Sequence, residues 1–121
     1  MTKEKEIEKF INEYRICISD HNLFFTKRVQ EDILELELTF EIVKEVIKGL
    51  GVNNYVSGPE KDLEFEQFNV WVFGTNIENQ SIEIYIKLSD RKDNQRPICI
   101  SFHKAKRKMN YPYKNEANNT E

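Results

Sequence analysis

The chain has 121 residues, 39% of them apolar and 32% charged, enough for one compact domain with its own core and too few for two. No apolar run approaches the roughly 20 residues of a membrane span. The opening "MTKEKEIEKF" alternates lysine with glutamate and lacks a signal-type apolar stretch, so the sequence predicts a cytoplasmic protein. The formal net charge of −3 hides a split. Residues 1–83 carry 9 Lys+Arg against 17 Asp+Glu, net −8, whereas residues 84–114 carry 9 against 2, net +7. Glu116 and Glu121 then take the tail to −2. A basic third on an acidic body is the footprint of a protein that meets an anion, most often nucleic acid. It is equally the look of a solvated edge on which lysine discourages strand aggregation.

In chain order, Ile7, Phe10, Ile11 and Tyr14 fall at i, i+3, i+4 and i+7, the stripe of an amphipathic helix. "RICIS" (15–19) alternates as a strand and runs into the turn-rich "DHN". Thr26 is placed to cap a helix through "KRVQEDILELEL", with Val29, Ile33, Leu34 and Leu36 as its buried face. Thr39 is the next cap, before a stripe of Phe40, Val43, Val46, Ile47 and Leu50 that Gly49 and Gly51 close. The polar stretch 52–66, with "SGPEKD" at its centre, reads as a loop. Three strands follow, "QFNVWVFG", "SIEIYIKLS" and "RPICISFHK", joined near "TNIENQ" and "DRKDNQ" by turns short enough for antiparallel pairing. The expected class is α+β, with N-terminal helices packed on one face of a C-terminal antiparallel sheet. It forms one domain over 1–114 and a disordered tail over 115–121. Cys17 and Cys99 have no CxxC or zinc-type spacing and are expected as reduced, buried thiols, so no metal and no cofactor is anticipated.

Strand side chains alternate faces. Ile82, Ile84, Ile86 and Leu88 therefore oppose Glu83, Tyr85 and Lys87, and Ile98, Ile100 and Phe102 oppose Cys99, Ser101 and His103. Pairing the two strands with their aliphatic rows in the core puts Tyr85, Lys87, Ser101 and His103 on one exposed face. Trp71 and Phe73 are expected to flank them. That set suits RNA cleavage. Histidine gives or takes a proton near neutrality, lysine offers charge to the phosphorane, and tyrosine or tryptophan stacks on a base. Lys104, Lys106, Arg107 and Lys108 would hold the flanking phosphates.

Residues 26–50, two short helices closing in "VIKGL", resemble the helical half of the MqsR family of bacterial toxins. "YVSGPEKD", "VWVFG", "IYIKL" and "ICISFHKA" then follow in that family's order, and "YPYK" (111–114) is similar to the end of a longer-tailed subgroup. The resemblance spans about 26–114 and implies a RelE-like fold. It implies a metal-independent mRNA endoribonuclease that leaves a 2′,3′-cyclic phosphate and a 5′-hydroxyl. It also implies a cognate antitoxin partner, expected to be a DNA-binding helix-turn-helix protein. The family's catalytic tyrosine falls on Tyr85, and the basic residue after "SF" falls on His103. For the loop lysine, Val56 holds the nearest position and Lys61 is the closest substitute; the glutamine after the tryptophan is Val72. The catalytic set so implied is His103, Tyr85, Lys87 and Lys61. A non-catalytic RNA- or protein-binding regulator on the same fold, or a pure interaction protein using the acidic helical half, is the competing reading.

Overall fold

A computed structural model describes residues 3–20, 23–64, 69–77, 82–90 and 97–114. Three helices, α1 (Lys3–Asp20), α2 (Lys27–Glu35) and α3 (Phe40–Lys48), precede most of a five-stranded sheet. Its strands are β1 (Phe24–Phe25), β2 (Tyr55–Lys61), β3 (Asn69–Asn76), β4 (Glu83–Ser89) and β5 (Ile98–Lys104), in the order β1-β5-β4-β3-β2. The α+β class stands, but the sheet is mixed: β1 runs parallel to β5 and every other pairing is antiparallel. Residues 78–81 and 91–96, expected to hold turns, and 115–121, expected as a disordered tail, lie outside the described residues.

Two segments differ from the sequence expectation. "RICIS" is the end of α1, not a strand. Tyr14, Cys17 and Ile18 continue the helical stripe begun at Ile7, all buried, and the off-stripe Ile16 is exposed. Helical form also carries Arg15 to the end of α3, where its Nε donates to Lys48 O at 2.7 Å and its Nη2 to Leu50 O at 2.8 Å. Those bonds satisfy carbonyls that a helix C-terminus leaves without partners. The second segment is 55–61, a strand rather than a loop, with register shifts on either side of Ser57. It lies at the sheet edge, where a proline costs no ladder bond. Gly58 is obligatory there: its φ is +113°, and a Cβ would stand 2.6 Å from Val70 O.

Thr26 and Thr39 cap α2 and α3 as expected, accepting from Val29 N and Ile42 N. One core cluster joins the apolar stripes of all three helices to a single face of the sheet. Phe10 of α1 stacks on Trp71 of β3 at 4.4 Å, and Ile84, Ile86 and Phe102 are fully buried around them. Leu34 and Phe40, expected inside, are 68% and 42% exposed because their helices turn them off the core-facing stripe. Cys17 and Cys99 are both buried thiols, and burial pushes the Cys99 thiol well above its ordinary pKa. Among the described residues no helix is long and apolar enough to cross a membrane.

Candidate functional site

Opposite the core, the sheet turns a polar face outward. Tyr85 pairs directly with His103, and Lys87 with Ser101, so all four side chains leave the sheet on the same side. The expected alternation along β5 is broken once. The register shifts between Lys87 and Leu88, whose partners are Ser101 and Cys99, which makes Ile100 an extra residue in a β-bulge. Cys99 therefore takes the core seat that simple alternation gives to Ile100, and Ile100 turns into a cleft beside Ser101.

The imidazole of His103 lies flat on the phenol of Tyr85, with ring centroids 5.1 Å apart and planes 14° from parallel. Its Nδ1 stands 2.9 Å from Lys104 O. A carbonyl only accepts, so Nδ1 carries the proton and donates. In the neutral ring that leaves Nε2 with the lone pair, and in the protonated ring Nε2 becomes a second donor. His103 is thereby oriented as a base or an acid through one defined atom.

Lys87 is not a free cation. Its Nζ forms a 2.7 Å ion pair with Oδ1 of Asp62, a carboxylate buried to 3% exposure. The other Asp62 oxygen accepts from Glu64 N at 2.9 Å, tying the turn after β2 to β4. Burial by itself would lower the Lys87 ammonium, but the hydrogen bond to Asp62 and the nearby Tyr85, Asp62 and Glu60 outweigh it and raise its pKa. Lys61, expected in the catalytic set, is not brought to the site. It pairs with Asn69, one residue out of phase with the Val70 and Val72 positions that share the Tyr85 face, so it leaves the sheet on the other side. Trp71, expected as a base-stacking platform, and Phe73 beside it, also lie opposite. They share a face with Leu88 and Ile86 and are buried in the core, beyond reach of a ligand on the His103 side. Val72 does share the Lys87 face, as a buried apolar floor.

Lys104, Lys106, Arg107 and Lys108 are all exposed. The chain they begin then folds back over the polar face. Ala105 N donates to Glu83 O at 2.8 Å, and Tyr111 Oη donates to the Glu83 carboxylate. Gly74 makes room, since a Cβ there would collide with Met109 and Tyr111. Burial and then the Glu83 carboxylate hold the Tyr111 phenol well above its ordinary pKa.

Sequence reading missed what α2 contributes. Arg28, Asp32 and Glu35 recur at i, i+4 and i+7, a polar stripe beside the buried Val29 and Ile33. That stripe faces β5 across two cavities of about 460 and 370 Å³. Its period was readable; its destination was not, because only the contact of α2 with β5 puts it beside His103. A comparison with known proteins finds no matching family model, no similar curated protein and no similar solved structure.

Proposed function

We propose that the polar face is the active site of a metal-independent endoribonuclease, the toxin of a type II toxin–antitoxin pair with a RelE-like fold. The observation that carries the reading is the Tyr85–His103 stack with Nδ1 engaged on the Lys104 carbonyl, beside a rim of exposed cations. The ordered motifs similar to the MqsR family support it. In the reaction, a ribose 2′-oxygen attacks the adjacent phosphorus. The proton it loses passes to neutral His103 and the leaving 5′-oxygen takes one from water, or it passes to water and the 5′-oxygen takes one from the imidazolium; a 2′,3′-cyclic phosphate remains. His103 Nε2 serves one of the two proton transfers. Tyr85 holds the imidazole plane from behind, and the cations of 104–108 bind flanking phosphates. Lys87, locked to Asp62, forms part of the cleft wall. The mRNA substrate and a cognate antitoxin that covers the basic rim follow from the same reading.

The test is incubation of the purified protein with a defined RNA in EDTA, followed by analysis of the cut ends. New termini bearing 2′,3′-cyclic phosphate and 5′-hydroxyl are expected. Bound but intact RNA would favour instead a non-catalytic binding regulator, the reading to which the ion-paired Lys87 and the apolar Val72 lend weight.

A further inference from the structure

The two cavities share four bordering residues: Arg28, Asp32, His103 and Lys106. The imidazole thus stands on a saddle between two compartments, each within the range of about 300–1,000 Å³ in which small-molecule sites fall. A mononucleotide site needs one compartment. A strand held with its backbone across the saddle needs two, one for the sugar and base on each side of a single phosphate. Two cations border the saddle from separate elements, Arg28 from α2 and Lys106 from the segment after β5. Among the described residues neither is ion-paired, in contrast to Lys87. Asp32 stands with them at the saddle, while Glu35 and Glu64 in the cavities on either side are matched by Lys104 and Lys27, and Lys87 by Asp62, so the surroundings keep a net charge of one positive before the imidazole is counted.

We infer that Arg28, with Lys106, seats the phosphate that lies over His103, between two nucleotide compartments. Sequence reading assigned Arg28 no role, and it takes over the task first given to Lys87. A guanidinium presents a planar fork that meets two phosphate oxygens at once, which an ammonium cannot do. The ligand class rests on the nucleolytic reading above, but the seat does not need turnover to be measured.

The probe is a short, fully 2′-O-methylated RNA of mixed sequence, which cannot be cleaved through its 2′-oxygen. Its affinity is followed as salt is varied, for the wild type and for Arg28→Ala, Arg28→Lys and Lys9→Ala. Lys9 is an exposed cation on α1, so its loss matches the charge change elsewhere on the molecule. Arg28→Ala is expected to weaken binding about tenfold, as loss of a charge-assisted contact does. It should also lower the slope of log affinity against log salt by about 0.7, the value of one phosphate contact on a single strand. Arg28→Lys should keep the slope while losing part of the affinity, and Lys9→Ala should change neither. Thermal melts confirm that each variant folds. Wild-type slope and affinity in Arg28→Ala would overturn the seat even if wild-type protein cleaves RNA. A weakened Arg28→Ala in a protein that never cleaves would uphold the seat and remove the nuclease. Failure of the wild type to bind the probe at low salt would remove both.

Discussion

One strand of this molecule makes two surfaces of opposite character. From β4, Ile84, Ile86 and Leu88 enter a closed hydrocarbon layer under the helices, while Tyr85 and Lys87 stand on the other side among polar groups. The closed face is held by area, and the loss of any large side chain there leaves a hole that neighbours cannot refill. The open face is held by a few directional contacts: the Lys87–Asp62 pair, the His103–Lys104 hydrogen bond and the Glu83 anchor of the C-terminal segment. Substitution should therefore reveal two regimes. Changes on the closed face should cost stability, and, on the proposed nucleolytic reading, changes on the open face should cost chemistry.

The sharpest probe of that contrast is Phe73→Ala, at a fully buried ring on the closed side of β3. It should cost about 4 kcal/mol of unfolding free energy, seen by urea denaturation. A loss below about 1 kcal/mol would mean that this layer is not close-packed. Next comes Asp62→Ala, the one open-face change expected to register in stability. It leaves a half-buried ammonium without its partner, which water can partly resolvate, and should cost about 1–2 kcal/mol. Its pH dependence follows from the raised Lys87 pKa. The stabilisation is complete below the ordinary lysine value of 10.5 and fades as pH rises through the higher folded value. The gap between wild type and Asp62→Ala should thus hold across neutral pH and narrow in strong alkali. A gap already closing near neutrality would contradict the ion pair.

How much of this was legible in the residues differs between the faces. Period-two alternation in "IEIYIKL" settles which side chains of β4 share a side, and pairing parity carries Ser101 and His103 with Tyr85 and Lys87. Alternation is blind to a bulge, so the exchange of Cys99 for Ile100 could not be read from it. Composition made a loop of 55–61, since serine, glycine and proline signal turns unless an edge strand has use for them. Trp71 was assigned by residue type to a ligand. Its parity against Leu88 belonged to the core, but the β3–β4 register needed to see this is a long-range fact. Asp62 and Arg28 reach the site only through tertiary contact, one folding over β4 and the other arriving on α2. Local pattern specifies which residues may share a strand face; it does not specify what arrives to cover that face.

Of all measurements, the rate at which His103→Ala cuts a defined RNA in EDTA, relative to wild type, bears most directly on the open face as a catalytic surface. The side chain is only half-buried and hydrogen-bonds its neighbour's carbonyl, so the variant should melt close to the wild type. Its cleavage rate should fall about a thousandfold, within the range that loss of a general acid or base produces. A folded His103→Ala protein that cleaves at the wild-type rate would place the chemistry elsewhere and contradict the account.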